Sequence, residues 1–189
     1  MKTKLTLVGI SGSLRSGSYN TMLLNAVKEF LPQNVSLNIV PIADIPLYNA
    51  DMDMPSVTVR PSAVVKLREE LASADGIVIA TPEYNYSIPG VLKNALDWVS
   101  RGADAPLLNK PISVMGATTG SWGTVRAQLA FHPIYQAMNM KPVYKPEVYV
   151  PNAPSKFDGN GRLTDELIIK NLEKNLLQLQ EIILLNADR

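Results

Sequence analysis

Five short apolar runs alternate along the chain with longer stretches in which apolar residues recur every three to four positions. Runs at 5–10, 36–40, 76–81, 111–116 and 143–150 have strand length, and the β-branched run at 76–81 has the pattern of a buried strand. Pro146 breaks the last of them. Helical spacing follows each strand. Met22, Leu23, Ala26, Val27 and Phe30 share a face up to Pro32, and Val64, Val65, Leu67, Leu71 and Ala74 do so after Pro61. Val91, Leu92, Ala95, Leu96 and Val99 predict a helix over 89–101. A helix is expected from 124 to about 138, with a kink at Pro133. The last repeat, Ile168, Leu172, Leu176, Leu179 and Ile183, predicts a helix capped by Thr164 with Asp165 and Glu166 in its first turn. Strands alternating with helices imply a parallel sheet covered on both faces, because each crossover is right-handed.

The connections between these elements are uneven. Residues 11–20 form a loop rich in glycine and hydroxyls, residues 82–88 a polar and aromatic one, and residues 117–123 a second loop of glycine and hydroxyls. In a doubly wound sheet of order 2-1-3-4-5, the loops after strands one, three and four meet at the switch point, where such sheets place ligands. A long connection over 41–60, carrying Pro41, Pro46 and Pro55, is expected to be irregular and has the length of a functional loop.

Composition narrows the chemistry. With 189 residues, no repeat and no linker, the expectation is one domain spanning 1–189. Eighteen basic against 17 acidic residues give a net charge of +1, without the basic excess of a nucleic-acid binder. Zero cysteines and one histidine exclude disulfides, thiolate ligands and multi-histidine metal sites, so redox chemistry would need a bound cofactor. No apolar run approaches a membrane span, and the expected location is the cytoplasm.

The loop at 11–20 has the Gly12–Gly17 spacing of a P-loop, but Ser18 stands where lysine is needed, and Gly9 followed by Gly12 fails the dinucleotide fingerprint. What remains is a hydroxyl-rich anion loop with one arginine, Arg15, or else an ordinary capped helix start; both readings stay open. Residues 82–87 form either a plain turn or, through Tyr84 and Tyr86, the flank of a planar ring. Gly116, Thr118 and Gly120 match the spacing of a nucleophile elbow, but the only histidine, His132, lies inside a predicted helix, and hydrolase chemistry is discounted. Glu83 fits a structural hydrogen-bonding role as well as a chemical one. Lys93 and Asp97 are spaced as a helix-surface pair.

Gly12-Ser13-Leu14-Arg15 with Ser18 and Asn20, then Pro82-Glu83-Tyr84-Asn85-x-Ser87-x-Pro89-Gly90-x-Leu92-Lys93-Asn94-Ala95-x-Asp97-Trp98, resemble the NAD(P)H-dependent FMN reductase family of flavodoxin-like proteins. The continuation through Ser100-Arg101 and the stretch Ala43-Asp44-Ile45-Pro46-Leu47-Tyr48 are similar to its bacterial quinone and chromate reductases. The resemblance implies a flavodoxin-like three-layer sandwich with a five-stranded parallel sheet of order 2-1-3-4-5 and helices on both faces. It implies FMN as cofactor, NADPH or NADH as cosubstrate, and a quinone acceptor, with chromate, azo compounds or ferric complexes as further acceptors. Carried over by position, Ser13, Arg15, Ser18, Tyr19, Asn20 and Thr21 would hold the FMN phosphate end. Pro82, Glu83, Tyr84 and Asn85 would line the flavin ring, and Thr118, Thr119 and Gly120 would close the third side. No side chain is then required as acid or base in a ping-pong hydride transfer through flavin N5. Homodimers or homotetramers are implied too, with 89–101 contributing contacts. The rival readings are a flavodoxin-type electron carrier without its own NAD(P)H oxidase activity, which the near-neutral charge disfavours, and a non-catalytic flavin or nucleotide sensor.

Overall fold

The computed structural model describes residues 4–53 and 60–187. Within them the chain runs β1 (Leu5–Ser11), α1 (Tyr19–Phe30), β2 (Val35–Val40), α2 (Ser62–Ser73), β3 (Gly76–Ala80), α3 (Gly90–Val99), β4 (Pro111–Ala117), α4 (Val125–Leu129), α5 (His132–Ala137), β5 (Lys141–Pro142), β6 (Val148–Val150) and α6 (Glu166–Ala187). Every pairing in the sheet is parallel, in the order β2-β1-β3-β4-β5, with β6 also on β4.

Alternation along the strands assigns the two cores. Val8 and Ile10 of β1, Ile77 and Ile79 of β3, and Ile112 and Val114 of β4 pack with α2, α3 and α5. Leu5 and Leu7, Val78 and Ala80, and Met115 and Ala117 face α1 and α6. A period of two on strands buried from both sides requires this division. The repeat predicted from Ile168 to Ile183 is the core face of α6, its five residues all at most 7% exposed.

The expected fifth strand at 143–150 is two pieces. Pro142 pairs with Ile112, yet Val148 pairs with Met115, so six positions of chain cover three of β4 and 144–147 leave the ladder. Pro146 has no N–H to give a neighbouring strand. Its carbonyl instead accepts from Asn175 Nδ2 of α6 at 2.8 Å. The helix expected over 124–138 is also divided, into α4 and α5. Pro133 has no N–H with which to continue the first helix, so the chain tightens at Phe131 and restarts with Pro133 in the first turn of α5. At α6 the cap is Asp165 rather than Thr164: Asp165 Oδ1 accepts from Ile168 N at 3.1 Å, while the Thr164 hydroxyl donates to Lys156 O.

The long connection is irregular as far as Asp53, apart from one 3-10 turn at Ala50–Met52; Pro55 and the rest of 54–59 lie outside the described residues. Its ordered half is tied to α3. Asn94 Oδ1 accepts from Tyr48 N, and Asn94 Nδ2 and Trp98 Nε1 both donate to Pro46 O, each at 2.8 Å. Buried Arg68 closes the far end of α3 by donating to the carbonyls of Trp98 and Arg101. Lys93 and Asp97 form the expected surface pair, at 2.7 Å.

Candidate active site

At the end of β1 the backbone passes close under the next loop: a Cβ on Gly12 would meet Leu92 Cδ2 and Thr81 Oγ1 at 2.9 Å. Glycine is therefore the residue that lets the two loops approach. Residues 13–18 are then braced locally. Ser13 Oγ accepts from Arg15 N at 3.3 Å, and Arg15 Nη2 donates to Gly17 O at 3.2 Å. Ser18, 4% exposed, caps α1 by accepting from Asn20 N. The first-turn amides of α1 lack intrahelical acceptors, and its dipole puts positive charge beside the hydroxyls and Arg15.

After β3, Tyr84 and Ser87 exchange two backbone hydrogen bonds across a tight turn, with Asn85 at φ 50° and Tyr86 at φ 62°. Two successive left-handed residues suit a hairpin-type turn; asparagine tolerates this, whereas for tyrosine it costs about 1 kcal/mol. The turn is held from outside. The Glu83 side chain, 11% exposed, accepts from Arg126 N at 2.9 Å, Ala127 N at 3.1 Å and Arg126 Nη1 at 3.2 Å. Its position at the start of α4 compensates the orphan amides there. The structural reading of Glu83 is thus the one its contacts bear out.

The third loop follows β4. Nothing larger than glycine fits at 116, where a Cβ would lie 1.9 Å from Thr124 Oγ1 and 2.4 Å from Thr81 O. Asn20 reaches across from α1 and pairs with both backbone groups of Ala117, at 2.8 and 3.0 Å. Thr118 N donates to Val150 O, so β6 holds this loop in place.

The three loops enclose one cleft with a cavity of about 140 Å³. Ser13, Arg15, Ser18, Tyr19 and Asn20 line it from the first loop, Pro82, Glu83 and Tyr84 from the second, and Thr118 and Thr119 from the third. Three of the expected residues stand apart. The Thr21 hydroxyl is bonded to Ser11 Oγ at 2.9 Å, Asn85 borders a neighbouring open depression with Glu83 and Tyr86, and Gly120 accepts from Asn152 N. Two residues that sequence reasoning did not single out shape the site: Ala117, which lines the cleft, and Arg126, whose link to Glu83 spans 43 positions and leaves no local signal. His132 lies away from the cleft, its ring 5.8 Å from that of Tyr135 and 6.0 Å from that of Tyr144. Nearby, burial and the Glu147 carboxylate push the Tyr149 phenol up to about 12, so it remains a neutral hydrogen-bond donor.

The family described as NADPH-dependent FMN reductase matches residues 5–155. An NAD(P)H-dependent FMN reductase of Pseudomonas aeruginosa is 41% identical over 180 residues, covering 95% of this chain and 96% of that one. A quinone reductase of Escherichia coli K12 is 38% identical over 185 residues, covering 97% of each. Among solved structures, the flavoenzyme NAD(P)H:(acceptor) oxidoreductase FerB of Paracoccus denitrificans superposes with a TM-score of 0.85 at 27% identity, covering 96% of this chain and 98% of that one. The chain belongs to the NADPH-dependent FMN reductase family, an NAD(P)H-dependent oxidoreductase with FMN as cofactor on a flavodoxin-like fold.

Proposed function

We propose that this chain reduces quinones with electrons from NADPH or NADH, using FMN held in the cleft between the loops after β1, β3 and β4. The observation that carries the reading is the sorting of chemistry along that cleft. At one end stand the hydroxyls of Ser13 and Ser18, the Arg15 guanidinium and the N-terminus of α1, a donor set suited to a phosphate without a metal ion. At the other end stand Pro82, the half-exposed Tyr84 ring and the turn beside it, suited to a flat heterocycle. FMN, when bound, supplies the hydride-accepting and hydride-donating chemistry.

The residues do the rest. Ser13, Arg15, Ser18 and Tyr19 bind the anionic end, while Asn20 spends its amide on Ala117 and holds the first loop against the third. Thr118 and Thr119 close the opposite wall. Backbone amides of the 82–85 loop would stabilise negative charge on the ring edge, as preorganised donors do. Among the described residues no helix is long and apolar enough to cross a membrane, and we place the enzyme in the cytoplasm. Assembly into homodimers or homotetramers belongs to this reading through the family resemblance. Chromate, azo compounds and ferric complexes are further acceptors in this reading.

The purified protein should carry or take up flavin, seen in its visible spectrum. Anaerobic NADPH or NADH should bleach that spectrum and a benzoquinone should restore it. A protein that neither carries nor binds FMN, or whose bound flavin resists both nicotinamides, overturns the proposal.

A further inference from the structure

Arg126 is held between two aromatic rings. Its guanidinium carbon lies 4.2 Å from the Tyr86 ring centroid and 4.4 Å from that of Trp122. Both rings are otherwise exposed, Tyr86 by 70% and Trp122 by 63%, so neither is a core side chain whose place is dictated by burial. Tyr86 belongs to the loop after β3 and Trp122 to the loop after β4. The stack joins the two loops through one arginine.

That arginine also sets Glu83. Its side chain and its backbone amide both donate to the Glu83 carboxylate, which stands at the entry of the turn at 84–87. Within this turn Tyr86 is left-handed, a conformation a tyrosine keeps only where its surroundings demand it. The two Tyr84–Ser87 backbone bonds impose it, and stacking on the guanidinium adds a contact from outside the turn, because a flat cation attracts the ring face. We infer that Trp122 is a positioning residue: lying on Arg126 opposite Tyr86, it holds the guanidinium that fixes Glu83 and, through it, the 82–87 turn flanking the cleft.

Trp122 does not line the cleft; it acts through Arg126. It therefore governs how the turn presents its amides and the Tyr84 ring, and leaves the anion end at Ser13 and Ser18 alone. The inference rests on the flavin reading for its functional consequence, and a flavin-independent readout separates the two. In the FMN-free protein the NMR resonances of the Arg126 side chain should be shifted upfield by the two rings. Trp122→Ala should remove much of that shift, and Trp122→Phe should keep most of it.

Flavin titrations then read the consequence. Trp122→Ala should weaken FMN and riboflavin alike, about fivefold, since the lost contact bears on the ring end they share. It should also alter the visible circular dichroism of bound flavin, while its melting temperature stays within about 2 °C of the parent, as expected of a surface substitution. Trp122→Phe should restore affinity and dichroism together. Unchanged dichroism and affinity in Trp122→Ala, or failure of phenylalanine to restore them, overturns the inference. Unshifted resonances in a flavin-binding protein overturn the stack and uphold the cofactor reading. Shifted resonances in a protein that takes up no flavin uphold the stack and overturn that reading.

Discussion

Residues 13–18 of the loop after β1 are braced by bonds that span two residues, Ser13 Oγ to Arg15 N, Arg15 to Gly17 O and Ser18 Oγ to Asn20 N. The loop after β3, across the cleft, is held by Glu83 bonds that span 43 and 44 residues, and by a ring stack on the same arginine. The first carries its own conformation in neighbouring hydroxyls. The second closes its turn locally through Tyr84 and Ser87 but takes its placement from a helix start elsewhere in the chain. A loop built the first way survives loss of its partners, whereas one built the second way fails when a remote residue changes.

The sharpest way to break the contrast is Gly116→Ala. A methyl group there meets the Thr81 carbonyl as well as Thr124 Oγ1, and backbone cannot yield as a flexible side chain does. The expected cost is about 3 kcal/mol or more, read as a fall in melting temperature, with the loops after β3 and β4 displaced. A melting temperature equal to the parent's would mean that these loops part without cost.

Next in size is Glu83→Ala, which strips the acceptor from two α4 amides and from the Arg126 guanidinium. Hydrogen bonds to a charged group put the loss at about 2 kcal/mol. Thermal melts and flavin titration should both register it, and riboflavin should weaken as much as FMN.

Ser18→Ala probes the other loop. Losing the cap of α1 costs about 1 kcal/mol, and the local bonds between Ser13, Arg15 and Gly17 survive. FMN affinity should drop several-fold while riboflavin affinity holds, because only FMN has the phosphate. Equal losses for both flavins would show that the loop does not serve an anion.

Asp165→Asn gives the smallest effect and serves as a control, since Asp165 does not line the cleft. A hydrogen bond from Lys156, then the Ile168 amide, holds the Asp165 carboxyl below the usual carboxylate range. Because the folded value is depressed, its contribution is complete above the unfolded pKa near about 4 and is lost as pH falls through the folded value. Asparagine keeps the cap and loses the ion pair, about 0.5 kcal/mol at neutral pH. Melts taken from about pH 6 to 3 should show a flatter acid limb in the variant, with FMN affinity unchanged.

These contrasts also mark what was legible in the sequence. The hydroxyl loop could be read directly, because an N-cap and Asx-like or Ser-type brace act over two or three positions. Ten of the expected residues do line the cleft, and Glu83 was readable as a hydrogen-bonding residue though its partner was not. The Arg126 stack was hidden: Trp122, Arg126 and Tyr86 have no shared periodicity, and the turns that bring them together are set by packing at Gly116 and Thr124. The split fifth strand was half legible. Pro146 announced a break, but the jump of the register from Ile112 to Met115, with Asn175 of α6 bonded to the Pro146 carbonyl, had no local signal.

The sequence by itself determined the alternation of strands and helices, the parallel sheet covered on both faces, the core face of α6 and the kind of group each loop presents, while the strand order came from the family resemblance. These follow from side-chain period, from the absence of an N–H in proline and from the handedness of crossovers, all of which act locally or by general rule. Only the tertiary structure decided which loop residues meet. Thr21 turned away to Ser11, Asn20 was committed to Ala117, and Glu83 was given to Arg126, because a buried polar group takes whichever partner the packed backbone brings within reach.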